Sequence, residues 1–298
     1  YLHELYSKLL NAYSSSIVNG AYSITEKELS DSLRFADLLS KSTNSNMQDY
    51  HHQLAQEIVI LCRELFPNSE IVDQFLGSIL SNNGNFPGII NNIPDYTNSD
   101  DLDRIYELYD KQEYKVPGED NTFFSKTQKR IYDHFEDDSF SYSGPTSMGK
   151  SFLIKYFIKR KITEKTNCNF VFLVPTNALI NEVSNDLYDE LKPILIPNKY
   201  RVITITESIL LDLEDNHFIL VLTPERLLYL LMSHPDFKVD YVFIDEAHKL
   251  ISQDGRSTFY YKVVDFLMRR QNAIKPKVIF SSPNIPNPDL FQKTITNP

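Results

Sequence analysis

Cysteine, glycine and positive charge are all scarce in this chain, and each shortage removes a class of explanation. The two cysteines, Cys62 and Cys168, lie far apart in the sequence. They cannot form a disulfide framework, so they read as reduced core thiols of a cytoplasmic protein. No stretch approaches the roughly 20 apolar residues that span a bilayer, and the start lacks the basic-then-apolar order of a signal peptide. No membrane partner is expected. Lys and Arg number 30 against 40 Asp and Glu, for a formal net charge of -10. A surface of that sign cannot hold nucleic acid by general counterion release, so any such contact must be local. Only 8 of the 298 residues are glycine. That is well below the roughly 7% average, so a correctly spaced pair of glycines carries weight. The chain begins at Tyr1 without a Met and ends at Pro298, and it reads as an ordered piece of a longer protein.

Hydrophobic residues make up 42% of the chain, enough for two domains with separate cores. Leu5, Tyr6, Leu9, Leu10 and Tyr13 recur at helical spacing, predicting a first amphipathic helix. Thr25 and Glu28 have capping-box spacing, and Ile24 with Leu29 fits a hydrophobic staple across the same helix start. A third stripe runs from Leu54 to Leu65 with Pro67 marking its end, and a fourth runs from Ile71 to Leu80. The stretch Ser81 to Asp100 is rich in Asn, Gly and Pro and reads as a long loop. Leu102, Ile105, Tyr106 and Tyr109 then predict one more helix. Residues 1–115 are therefore expected to be a helical accessory domain and linker.

From about Val116 the texture changes. Short β-branched or aromatic runs alternate with helical patterns, the signature of a parallel sheet covered on both faces, so residues 116–298 are expected to form an α/β domain. The runs are Phe140–Tyr142, Phe170–Val174, Arg201–Ile205, Phe218–Leu222, Tyr241–Ile244 and Val278–Phe280. Ligands of such sheets bind beyond the carboxyl ends of the strands, so function is sought just after each run.

The first run leads into Gly144-Pro145-Thr146-Ser147-Met148-Gly149-Lys150-Ser151, which fits the G-x-x-x-x-G-K-[ST] phosphate loop between a strand and a helix. Glycines let the main chain wrap closely, and backbone N–H groups at the helix start face phosphate. Lys150 would reach the β and γ phosphates of ATP, and Ser151 would hold magnesium. A chance octapeptide of this form occurs on the order of once in a hundred such chains. The run Val242-Phe243-Ile244 ends in Asp245-Glu246-Ala247-His248. A buried strand delivers Asp245 to the sheet edge as a second magnesium ligand, and Glu246 can orient and deprotonate an attacking water.

Together these two segments resemble motifs I and II of superfamily two DEAD/DEAH-box helicases, and the resemblance extends over Thr122 to Pro298. It implies a RecA-like P-loop domain with a mainly parallel sheet, the first of two motor domains, with ATP and Mg2+ as cofactors and single-stranded DNA or RNA as partner. Gln128 resembles the upstream Gln that reads adenine. Val174-Pro175-Thr176 resembles motif Ia, and Leu222-Thr223-Pro224-Glu225-Arg226 resembles motif Ib. Thr176, Thr223 and Arg226 are thereby the candidates for a nucleic-acid track. Phe280-Ser281-Ser282-Pro283 stands where the family has Ser-Ala-Thr, so Ser281 and Ser282, with His248, are the candidates for coupling hydrolysis to movement. Pro283 departs from that pattern by removing a hydroxyl and a backbone donor. Asn284 to Pro288 resembles the superkiller-like branch, and the Gly-Pro-Thr-Ser loop behind a helical leader is similar to helicases of the Hachiman anti-phage defence system. Motors of this type close a second RecA-like domain over ATP and supply arginines worth on the order of a thousandfold in phosphoryl transfer. No segment here matches that domain, so residues 1–298 alone are expected to bind nucleotide and turn it over poorly.

Two other readings stay open on sequence: a P-loop ATPase that remodels or signals to a protein partner, and a nucleotide-responsive module whose helical region recruits one. His51, His52 and Cys62 do not make a four-ligand metal set and read as solvent-facing imidazoles and a buried thiol. Lys159-Arg160-Lys161 reads as a solvated last helical turn, favourable to the helix dipole.

Overall fold

The computed structural model describes residues 1–18, 20, 23–94, 96–97, 101–137, 139–145, 148–205, 216–250, 257–269, 275–283, 285, 287, 291 and 293. The chain forms two compact units, Tyr1–Lys129 and Arg130–Pro298.

The first unit contains α1 (Leu2–Ile17), α2 (Glu26–Ser40), α3 (Gln48–Leu65), α4 (Glu70–Asn82), α5 (Phe86–Asn92) and α6 (Asp101–Tyr114). Leu9, Leu33, Ala36, Ile58, Cys62, Leu76 and Phe86 share its core. The start of α2 is the reciprocal cap that the spacing predicts. Thr25 Oγ1 accepts from Glu28 N at 3.3 Å, and Thr25 N donates to Glu28 Oε2 at 2.9 Å. Lys8 first, and the Thr25 contacts second, hold the Glu28 carboxyl down at about 2.

Four expectations for this unit are corrected. The predicted loop from Ser81 contains α5, because Asn85 accepts from Gly88 N at 3.1 Å and Phe86, Ile89 and Ile93 bury one side of the turn. Ile71, placed in a buried stripe, is 65% exposed. Helix α6 forms, yet Leu102, Ile105, Tyr106 and Tyr109 face solvent while Glu107, paired with Lys111 at 2.7 Å, is buried. The domain edge expected near Val116 lies inside the first unit. Phe124 N donates to Tyr114 O at 2.7 Å, Val116 N donates to Thr122 O at 2.9 Å, and Phe123 packs 6.2 Å from Phe86, so this stretch folds back on the helices. Cys62 is buried and its thiol is pushed up to about 12. His52 is only half exposed, and burial lowers its pKa.

Helix α7 (Lys126–Asp133) leads into the second unit, where β1 (Phe140–Ser143), β2 (Phe170–Leu173), β3 (Tyr200–Ile203), β4 (His217–Leu222), β5 (Tyr241–Ile244) and β6 (Lys277–Ser282) form a six-stranded sheet. The order is β1-β6-β5-β2-β4-β3 and all pairings are parallel. This is the RecA-like α/β fold, with α8 (Lys150–Thr163), α9 (Asn177–Leu195), α10 (Pro224–Ser233) and α11 (Ser257–Arg269) between strands. Every predicted run contains a strand, with β3 ending at Ile203 rather than Ile205 and β2 at Leu173 rather than Val174.

Alternation within β2 and β5 sorts side chains by shape. Phe170 and Phe172 register with Tyr241 and Phe243, while the intervening Val171 and Leu173 register with Val242 and Ile244. The aliphatic side joins the core of α10 and α11. The aromatic side meets Phe157 of α8, whose ring lies 5.1 Å from both Phe135 and Tyr241. That packing places the helix carrying the phosphate loop on the central strands. Phe157→Ala is expected to cost about 3–5 kcal/mol, read as a lower urea midpoint of the transition that reports this unit. A loss below about 1 kcal/mol would mean that the aromatic cluster does not hold α8.

The basic run of α8 is not solvated. Lys161 is buried and pairs with Glu136 at 2.6 Å, and Arg160 pairs with the same carboxylate while stacking 5.0 Å from the Tyr132 ring. The apolar stems pack on the aromatic cluster, which is why charge at this helix end turns inward. No helix among the described residues is long and apolar enough to cross a membrane.

Candidate functional site

Because β1, β6 and β5 are adjacent, the segments that leave their carboxyl ends meet. Gly144 follows β1, Ser281 and Ser282 end β6, and Asp245 follows β5. Gly144 N donates to Ser282 O at 3.1 Å, and Ser281 Oγ donates to Asp245 Oδ1 at 3.2 Å. The residues upstream of Pro283 therefore reach both the loop and the acidic strand end, although the family's hydroxyl at Pro283 is missing.

The loop geometry requires glycine at 149, whereas a side chain at 144 would displace the flexible end of Met148. Gly149, which caps α8, has φ of 77°, the left-handed region where a Cβ is costly. A Cβ on Gly144 would lie 2.6 Å from Met148 Sδ, and Met148 N donates to Pro145 O at 3.1 Å. Lys150 is the first residue of α8 and is buried, with Nζ donating to Gly144 O at 2.9 Å and to Pro145 O at 3.5 Å. Its ammonium is thus held inside the turn. Ser151 is exposed beside it at the start of the helix, where backbone N–H groups have no partner within the helix. Thr146 and Ser147 lie outside the described residues, as do Asn284, Pro286 and Pro288.

Asp245 N donates to Leu173 O at 3.2 Å, extending the β5–β2 ladder by one residue and fixing the carboxylate at the edge. Ser151 and Asp245 line one cavity of about 420 Å³ with Ile154, Phe172 and Val174. A hydroxyl and a carboxylate are hard oxygen donors of the kind magnesium takes, and the cavity gives them a common opening. At Glu246 the chain turns with φ of 54°, an uncommon value for a residue with a side chain. Strain of this kind persists where surrounding structure over-determines it. His248 Nδ1 lies 3.4 Å from Glu246 Oε2. Tyr142 of β1 is buried, and its phenol is raised well above its ordinary pKa by burial, with Ser281 opposing and Asp245 adding to the rise.

A profile of the DEAD/DEAH box helicases matches residues 125–288. The chain belongs to the DEAD/DEAH box helicase family. In structure, this helicase domain is similar to the DUF1998 helicase MrfA bound to DNA, at 20% identity and a TM-score of 0.49, covering 62% of this chain and 28% of that one. It is also similar to the yeast DEAD-box splicing factor Prp28, at 17% identity and a TM-score of 0.41, covering 66% of this chain and 55% of that one. For the Sulfolobus solfataricus SWI2/SNF2 ATPase core in complex with dsDNA the identity is 17%, the TM-score 0.38, and the coverage 54% and 32%. No curated protein matches. The helicase chain therefore spans less than a third of the length of MrfA.

The remaining predicted residues are engaged in ways the motifs alone do not show. Ser125 N donates to Gln128 Oε1 at 2.8 Å and Gln128 N donates to Ser125 Oγ at 3.3 Å, so Gln128 closes a capping box on α7. Ser-x-x-Gln is the same signal as Thr25 and Glu28, and it was legible. Thr176 caps α9, accepting from Leu179 N at 3.4 Å. Thr223 is the residue before α10 and is buried. Arg226 donates to Thr204 O at 3.0 Å, joining the first turn of α10 to the residue after β3. Tyr142 belongs to none of the motifs; in sequence a tyrosine two residues before Gly144 reads as strand packing, and only the register with Ser281 sets it beside the site.

Proposed function

We propose that this chain is the first motor portion of an ATP-dependent nucleic-acid helicase or translocase. The observation that carries the reading is the junction of β1, β6 and β5, which sets Lys150 and Ser151, Ser281 and Ser282, and Asp245 and Glu246 at one sheet edge. The backbone of Gly144 to Gly149 cradles phosphate, and Lys150 exchanges its carbonyl contacts for the β and γ phosphate oxygens. Ser151 and Asp245 would hold magnesium, which would supply charge neutralisation at the phosphates. Glu246 accepts a proton from the attacking water as the water oxygen bonds to the γ phosphorus. The bond from that phosphorus to the β–γ bridging oxygen breaks, and ADP leaves with its electron pair. Gln128 is assigned to adenine.

Thr176 and Thr223 immediately precede α9 and α10, Arg226 lies in the first turn of α10, and a single strand crossing this edge meets them mainly through its backbone. The burial of Thr223 and the contact of Arg226 with Thr204 make their share one of shaping the track as much as touching it. His248 and Ser281 link this track to hydrolysis. The helical unit is assigned to a protein partner, and the Gly-Pro-Thr-Ser loop behind it supports a cytoplasmic role in anti-phage defence.

Phosphate release by the complete protein tests this reading. Turnover is expected to rise at least severalfold with single-stranded DNA or RNA, and to stay level with an unrelated protein. Stimulation by a protein partner with none from either nucleic acid would replace the motor with a remodelling or signalling ATPase.

A further inference from the structure

A buried phenol stands beside the acidic strand end, its hydroxyl turned toward Ser281. Tyr142 on β1 registers with Ser281 on β6. One strand further, Ile244 registers with Phe280, so Asp245 continues the same row. Across three adjacent strands the order is therefore Tyr142, Ser281, Asp245. The last link is made, Ser281 Oγ donating to Asp245 Oδ1 at 3.2 Å. The first is not. The Tyr142 hydroxyl has no exposed surface and faces Ser281 and the Asp245 carboxylate; Ser281 opposes the rise of its pKa as a hydrogen-bond partner does, yet the two hydroxyls miss hydrogen-bond geometry.

An unsatisfied buried hydroxyl costs about 1–3 kcal/mol, a cost that Phe, which would pack equally well, does not carry. Ser281 has one proton and two lone pairs. While it donates to Asp245 it can accept from a phenol, and that acceptance leaves its own proton committed to the carboxylate. A small rotation of Ser281 toward β1 completes the row. Asp245 then has one oxygen fixed from the β6 side.

We propose that Tyr142 is a positioning residue, a donor to Ser281 that fixes the serine as donor to Asp245 and thereby sets the carboxylate for a divalent cation. It acts through Ser281 and does not touch the reacting atoms. The proposal rests on the nucleotide reading above.

Its test uses Tyr142→Phe in the full chain, which keeps the ring and removes only the hydroxyl. Two readouts separate positioning from packing. First, tyrosines carrying 13C at the ζ carbon are followed by NMR without nucleotide or metal, Tyr142 being identified by its loss in Tyr142→Phe. The signal is expected to move in Ser281→Ala, since its acceptor has gone; an unmoved signal overturns the contact. Second, ADP binding is titrated with Mg2+. The Mg2+ concentration for half-maximal enhancement is expected to rise about threefold to tenfold in Tyr142→Phe, the effect of one hydrogen bond. Affinity without Mg2+ should not change. In a Ser281→Ala background the same Tyr142→Phe change should add nothing, because both residues act through one path. Additive effects, or a Mg2+ profile identical to the parent, overturn the proposal. Should the parent chain show no Mg2+-dependent ADP binding at all, the nucleotide reading itself fails, and the proposal with it.

Discussion

Glu246→Gln in the complete protein is expected to keep Mg-ATP bound while hydrolysis falls about a thousandfold. The amide has the shape of the carboxylate, so the turn that holds φ of 54° and the approach of His248 Nδ1 at 3.4 Å are both retained. What the amide lacks is the capacity to take a proton from water. The strained turn is what makes this residue sensitive. A left-handed residue directly after Asp245 separates the two side chains, so that adjacent carboxylates can serve a metal and a water rather than share one task. ATP affinity by calorimetry and phosphate release at saturating ATP give the two halves of the result. Turnover at the parent rate would remove Glu246 as the base, and the reading would then need another group at the strand end.

How much of this was legible depended on whether a signal was local. The strands were, because a parallel strand buried on both faces must be apolar throughout, and runs such as Phe170–Leu173 have no competing interpretation at that length. The phosphate loop and the acidic strand end were legible for the same reason, each being set by spacing within a few residues. The neighbour relation of β1, β6 and β5 was not. The β1–β6 half of it joins residues as distant as Phe140 and Ile279, and hydropathy carries no record of strand order. Tyr142 was lost with it, since a tyrosine in a strand reads as packing until its register with Ser281 is known. Charge was misread on α8 because Lys161 and Arg160 have a partner, Glu136, that local pattern cannot supply. Polar bias misled in the opposite sense at Asn85, where a run rich in Asn and Pro turned out to be a helix cap followed by its first turn. Helix α6 shows a further limit. Its apolar residues have helical spacing, yet spacing states only which residues share a side, and the structure turns Glu107 inward instead.

Lys150→Ala is expected to lower turnover by about two to three orders of magnitude and to weaken ATP binding at least tenfold. The ammonium is buried at the helix start and held by Gly144 O at 2.9 Å and Pro145 O at 3.5 Å. Those carbonyls keep it inside the loop while leaving it free to exchange them for phosphate oxygens, which bear full charge and compete well with neutral acceptors. An alanine leaves the backbone donors of the loop but removes the one mobile charge that can follow the γ phosphate as its bond breaks. Binding of ADP should therefore suffer less than binding of ATP. Lys150→Arg should not rescue, because a planar guanidinium cannot replace a compact ammonium held between the carbonyls of Gly144 and Pro145. Loss through misfolding has its own signature. The aromatic packing of α8 through Phe157 lies two turns further along the helix, so the urea midpoint of this unit should stay near that of the parent. A variant that stays folded and binds ATP and ADP as the parent does, with normal turnover in the complete protein, would detach Lys150 from the nucleotide and leave the loop a structural turn.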